Sequence, residues 1–191
     1  GALIAKEEIA AGAQLIIVGD LGIGNTTPAA ALIASQVEIT ARNATGRGAG
    51  LDDEALENKA KFIRKALTRA ADITDPTHRL AALGSADIAV ATGIYIEAAR
   101  QGVPILVDGV VSAAEALMAD AIEPGVHSWM IAGHRSVEPA QQYALEKLSL
   151  EPLVDLQLRL GEGSGAMAAL PLVHSGVAII REMALLADLV G

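Results

Sequence analysis

Three times along the chain a short, wholly apolar run ends in a glycine or aspartate loop and then gives way to a helix. "QLIIVGD" (14–20) leads through "GIGN" to a helix from about Thr27, which can cap it, with Pro28 at the first helical position. "VPILVDG" (103–109) precedes a helix over "VSAAEALMAD", with Ser112 available as a cap. "SWMIAGH" (128–134) precedes a helix over roughly 138–148 that Pro139 can start. Strand centres apolar on both faces, separated by helices, predict a parallel sheet covered on both sides. The expected fold class is therefore α/β: an open, Rossmann-like, three-layer arrangement.

The other segments are helical by local signals. "LDDEALENKAKFIRKALTRAADI" places Asp52, Asp53 and Glu54 in its first turn and Lys65 and Arg69 near its end, matching the helix dipole. "RLAALGSADIAVATGIYIEAARQG" predicts two helical pieces broken at Gly84, and "SGVAIIREMALLADLVG" an amphipathic closing helix. The 191 residues, 52% of them hydrophobic, suffice for one domain with a substantial core, expected over 1–191. An opening helical run that feeds straight into a strand and glycine loop reads as the later portion of a larger fold.

Composition narrows the function classes. A formal net charge of −9, with one Trp, two Tyr and one Phe, offers neither a phosphate-neutralising surface nor stacking platforms, which argues against nucleic acid. Without cysteine there is no thiolate metal site, and the four histidines lack paired ligand spacing, so no metal is expected. The start lacks a signal-peptide pattern, and no uncharged apolar run long enough to span a bilayer is apparent. The expectation is a soluble, cytoplasmic protein without a membrane partner.

In open parallel sheets, ligands bind beyond the carboxyl ends of the strands, where the polar and glycine-rich loops of this chain fall. "GDLGIGNTTP" sets Gly22, Gly24 and Asn25 before a helix N-terminus, whose free N–H groups favour an anion such as phosphate. A tight turn that binds nothing is the plainer alternative. The stretch is not a Walker loop, and Thr27 takes the place of the third glycine of a dinucleotide fingerprint, which excludes a nicotinamide-dependent oxidoreductase. "GRGAGLDDE" adds Gly46, Arg47 and Gly48 before a second helix, with Lys59 within reach. A solvated loop capped by Asp52 explains it equally well. "AGHRSVEP" offers His134, Arg135, Ser136 and Glu138, with His134 a general base or simply hydrogen-bonded. Asp108 either orients a ligand hydroxyl or caps the helix that follows it. Glu162, in "LGEGSGA", lies between glycines and ahead of an apolar helix. It is either a helix-terminus anion, with a lowered pKa, or a base poised in an apolar pocket, with a raised one.

Taken in order, "GDLGIGNTTPAAAL", "GRGAGLDDEALENK", "ALGSADIAVATG", "VPILVDGVVSAAEAL", "AGHRSVEP" and "LEPLVDLQLRLGEGSGAMAALPLV" resemble the back portion of nicotinate-nucleotide–dimethylbenzimidazole phosphoribosyltransferases. The resemblance implies phosphoribosyl transfer from nicotinate mononucleotide to 5,6-dimethylbenzimidazole, giving α-ribazole 5′-phosphate and nicotinate in cobalamin lower-ligand assembly, by a homodimer needing no cofactor. It implies that Glu162 is the general base. It places Gly22, Gly24, Asn25, Gly46, Arg47, Gly48 and Lys59 at the 5′-phosphate, and Asp108 and Ser136 on the ribose and nicotinate side. Asp20 stands where the family usually carries glutamate, a possible assisting carboxylate one methylene shorter. From another class, a non-catalytic phosphosugar-binding module fits the same loops.

Overall fold

The computed structural model describes residues 1–184. Helix α1 (Ala2–Ala10) is followed by the segment around Ile16, and α2 (Thr26–Val37), a single turn α3 (Ala41–Ala44), α4 (Asp53–Arg69), α5 (Pro76–Leu83) and α6 (Ala86–Arg100) come next. Strand β1 (Ile105–Val107), α7 (Val110–Ile122), a 3₁₀ turn (Val126–Trp129), β2 (Met130–Ala132), α8 (Pro139–Leu148) and α9 (Ser164–Glu182) complete the order. The fold is α/β, with helix far outweighing sheet. Of the predicted closing helix over 175–191, the part to Glu182 belongs to α9, and residues 185–191 lie outside the described ones.

β1 and β2 pair in parallel, Ile105 opposite Met130 and Val107 opposite Ala132. Single parallel bridges extend the sheet at each edge, Ile16 to Ile105 and His134 to Val154. The strand predicted over 14–20 is thus reduced to one bridge, closed by Ile16 N–H to Pro104 O at 3.0 Å and Leu106 N–H to Ile16 O at 2.9 Å. Beyond it the Val18 carbonyl accepts from the Ser112 hydroxyl at 3.2 Å instead of a ladder amide, so the apolar run leaves the sheet early. Ser112 consequently does not cap α7, whose N-cap is Gly109, three residues sooner. Likewise α2 starts at Thr26 on Asn25, one residue ahead of the predicted Thr27 cap, and Pro28 sits inside its first turn.

α7 is the central helix, buried continuously from Val110 to Ala119 and packed by α2, α6 and α8. Its alanines at 113, 114, 116 and 119 admit close neighbours. Leu32, Ile33, Ile63, Ile88 and Met118 fill the remaining space, each fully buried aliphatic side chain contributing about 1.5–3 kcal/mol. The sharper helix ends follow local capping. Asp52 accepts from Ala55 N–H at 2.8 Å, Asp75 from His78 N–H at 2.8 Å, and Gly84 separates α5 from α6 as predicted. α9 differs from the rest. By length and composition it is apolar enough to cross a membrane, against the expectation from sequence, yet its first two turns pack on the carboxyl end of the sheet through buried Gly165, Ala166 and Ala169.

Candidate functional site

All the loops that leave the parallel segments at their carboxyl ends converge on one cavity of about 380 Å³. Asp20, Gly22 and Asn25 line it from the first loop, Gly48 from the second, and Asp108 and Gly109 from the end of β1. Ser136 and Glu138 come from beyond β2, and Arg159 through Glu162 from the segment before α9. Of the residues predicted from sequence, Asp20, Gly22, Asn25, Gly48, Asp108, Ser136 and Glu162 meet here. Gly24, Gly46, Arg47 and Lys59 are not among the lining residues.

Their actual positions have physical reasons. The Arg47 guanidinium turns outward, donating to Asp53 at 2.6 Å and to the Leu51 carbonyl at 2.8 Å, and so fastens its own loop to the start of α4. Lys59 is buried behind the cavity, donating to Thr26 Oγ1 at 2.8 Å and Gly46 O at 2.9 Å. Burial lowers its pKa, opposed by the charge of Glu138. The Glu138 carboxylate accepts the Gly48 N–H at 2.7 Å, and a Cβ on Gly46 would lie 2.2 Å from it. A side chain at Gly46 would displace the Glu138 carboxylate from this backbone. Glu138, noted in "HRSVEP" but not assigned a task, is the anion that the second glycine loop already holds.

Asp108 is almost fully buried and caps no part of α7. Its Oδ2 accepts from Gly163 N–H at 3.1 Å and its Oδ1 from Ala166 N–H at 2.8 Å, both at the start of α9. His134 lies beside it, Nε2 3.6 Å from Asp108 Oδ1, with neither ring nitrogen hydrogen-bonded among the described residues. Its ring fits against Gly165, where a Cβ would come within 2.0 Å. Gln141 ties the two strand ends together, donating to the carbonyls of Asp108 at 2.9 Å and His134 at 3.0 Å.

Glu162 is exposed at the mouth of the cavity and sits in the left-handed region, φ +59°, between Gly161 at +76° and Gly163 at +79°. A run of three left-handed residues tolerates glycine at its ends far better than any side chain. Gly19 approaches so closely that a Cβ there would lie 2.7 Å from the Glu162 carbonyl. In the loop that Gly19 begins, Asp20 accepts from Asn25 Nδ2 at 3.1 Å, and partial burial raises its pKa against that bond, with Asp87 adding to the rise. Leu160 lines the cavity with an exposed side chain, and Ile23 is fully exposed in the first glycine loop.

Two features escaped sequence reading. Among the described residues, Arg159 is the one lysine or arginine lining the cavity, and only its place beside "LGEG" could have hinted at that. Glu115, in an alanine-rich helix with no local signal at all, is completely buried with both carboxylate oxygens unpartnered among the described residues. Burial pushes its pKa well above the ordinary carboxylate value, and the charges of Asp20 and Asp87 push further.

Comparison with known proteins accords with this geometry. A family model described as "Phosphoribosyltransferase" matches residues 1–189. The nicotinate-nucleotide–dimethylbenzimidazole phosphoribosyltransferase of Salinispora tropica is 49% identical over 185 residues, which span 96% of this chain and 51% of that protein. The protein of the same name from Mycobacterium avium is 46% identical over 189 residues, 98% of this chain and 54% of its own length. The crystal structure of CobT from Thermus thermophilus superposes with a TM-score of 0.91 at 39% identity, covering 94% of this chain and 54% of that one. The chain thus spans about half the length of the curated relatives it matches. With the family model matching nearly its whole length, the chain belongs to the nicotinate-nucleotide–dimethylbenzimidazole phosphoribosyltransferase family.

Proposed function

We propose that the cavity takes nicotinate mononucleotide and 5,6-dimethylbenzimidazole and transfers the phosphoribosyl group from the first to the second. The observation that carries this reading is the placement of Glu162, a carboxylate held on a left-handed backbone at the mouth of a cavity lined by helix-start amides. The names of the relatives support the substrates. One benzimidazole nitrogen attacks C1′ of the ribose from the face opposite the pyridinium. The C1′–N bond to nicotinate breaks with its electron pair, which neutralises the pyridinium, and the configuration inverts from β to α. The other benzimidazole nitrogen then bears an acidic proton, which passes to Glu162.

Asp20, which lines the same cavity, is the assisting carboxylate. The amides around Gly22 and Asn25, with Arg159, are the groups available to a phosphate, the Gly48 N–H being taken by Glu138. We further propose a homodimer, supported by the apolar side chains that α9 leaves exposed, among them Met167, Leu172, Ile179 and Ile180.

Incubating the protein with both substrates and following α-ribazole 5′-phosphate by chromatography tests the reaction. Glu162→Gln is expected to lower kcat by roughly 10²–10⁴-fold, the usual contribution of a general base. Absence of product would exclude the activity, and a fully active Glu162→Gln variant would exclude the base.

A further inference from the structure

We propose that Asp108 is the positioning residue for Glu162: it caps α9 from a neighbouring strand and so fixes the backbone that aims the Glu162 carboxylate into the cavity. The proposal rests on the reading of Glu162 as proton acceptor and adds the means by which that group is held.

A helix start leaves its first N–H groups without partners, and a side chain at or near the N-cap ordinarily accepts from one of them. At α9 the N-cap is Gly163, which has no side chain, and the first turn contains no acid. The cap comes instead from a residue 55 positions earlier, since Asp108 accepts from the N–H of Gly163 and of Ala166 with separate oxygens. A carboxylate is also favoured there by the helix dipole. The first of these amides belongs to the residue next to Glu162, so the bond bears directly on the ψ of Glu162 and on the direction of its side chain.

The surroundings leave little freedom for any other arrangement. Gly19 presses on the Glu162 carbonyl from one side, and Gly133 packs so closely on the start of α9 that a Cβ would lie 2.8 Å from Ala166 Cα. A left-handed glutamate is disfavoured on its own and persists where neighbouring contacts over-determine it. Asp108 itself is held by its position directly after β1 and by Gln141, which donates to the carbonyls of both Asp108 and His134. With both oxygens engaged and 2% of the residue exposed, Asp108 is built as a support and not as a ribose ligand.

The two roles separate in a double-mutant cycle on the full chain, with Asp108→Asn, Glu162→Gln and the pair. Asparagine keeps the shape but turns an N–H₂ toward one of the two amides. Asp108→Asn is expected to lower kcat by about 10²-fold, the effect of misplacing a reacting group by roughly 1 Å, with KM for nicotinate mononucleotide nearly unchanged. In the Glu162→Gln background the same substitution is expected to change kcat by less than about threefold, because the interaction it serves is already gone. A full loss in that background, or a KM that rises in step with the fall in kcat, would overturn the proposal.

A second arm does not depend on turnover. In ¹⁵N–¹H spectra, Asp108→Asn is expected to move the amide resonances of Gly163 and Ala166 upfield and to shift Glu162 with them, leaving α2 and α8 in place. If no form of the protein turns over, the functional reading fails, while unmoved Gly163 and Ala166 amides would overturn the positioning role itself. Should Asp108→Asn not fold, Asp108→Glu enters the same cycle. In the unaltered chain, the trans-hydrogen-bond coupling between these amide nitrogens and the Asp108 carboxyl carbon is then the deciding signal, and its absence overturns the proposal.

Discussion

Glu115 shows how far a single residue can stand from any local signal. It occupies a helix made mostly of alanine, leucine, valine and methionine, and nothing in "VVSAAEALMAD" separates a buried acid such as Glu115 from a more exposed one such as Asp120. Only the tertiary packing that encloses α7 decides it. With its folded pKa raised above the unfolded value of about 4.5, the folded state holds a proton that the unfolded state gives up more readily. Stability is therefore intact below the ordinary carboxylate range and falls as pH rises above it. Glu115→Gln removes the titration while keeping the shape. Thermal unfolding is expected to give similar Tm values for the two forms near pH 4 and a higher Tm for the variant near pH 8, with each kcal/mol worth about 2–4 °C in a chain of this size. A Tm difference independent of pH would show that the pKa of Glu115 is not raised by folding. Other residues were more legible. Glu162 announces itself by an acid between glycines, because a left-handed backbone demands glycine neighbours, whereas Arg47 misled because a guanidinium in a loop finds the nearest carboxylate, here Asp53.

At the level of elements, legibility divides by the range of the interactions. The start of α4 was readable because Asp52 caps it from the adjacent position, and the break at Gly84 because the signal is again local. The strand over 14–20 was overpredicted, since apolar content cannot reveal that the Val18 carbonyl is taken by Ser112 on α7. The cap of α9 was hidden by sequence distance. Lys59 is the long-range tie of α4, reaching Thr26 at the start of α2 and Gly46 in the preceding loop. Lys59→Met keeps the apolar stem but leaves the Gly46 carbonyl without a donor and the neighbouring Glu138 without a cation. The expected cost is about 1–3 kcal/mol of unfolding free energy, the penalty for an unsatisfied buried acceptor. Urea denaturation measures it, and a loss below about 0.5 kcal/mol would place Lys59 among surface residues in its energetic effect.

The molecule as a whole poses an electrostatic problem to the substrate proposed for it. The chain carries a formal charge of −9, and among the described residues its cavity is lined by Asp20, Asp108, Glu138 and Glu162 against the lone guanidinium of Arg159. A phosphomonoester of charge near −2 must approach through a field of its own sign and is held only at short range, by helix-start amides and the arginine. Composition made the acidity plain, but not that acids crowd the cavity, since that depends on which loops the parallel segments bring together. Local bonds inside the cavity are weakly screened, whereas the repulsion on approach is long-ranged and decays over a Debye length of about 30 Å at 0.01 M salt and about 8 Å at 0.15 M. Raising ionic strength between these values is therefore expected to lower KM for nicotinate mononucleotide by about two- to fivefold, the reverse of the behaviour of a basic phosphate site. Steady-state kinetics in a non-binding salt such as potassium chloride make the measurement. In Arg159→Ala the screened KM is expected to stay high at every salt concentration, because the short-range partner is missing while the repulsion is relieved as before. A KM that rises with salt in the unaltered chain would mean that local cations dominate the approach as well as the grip.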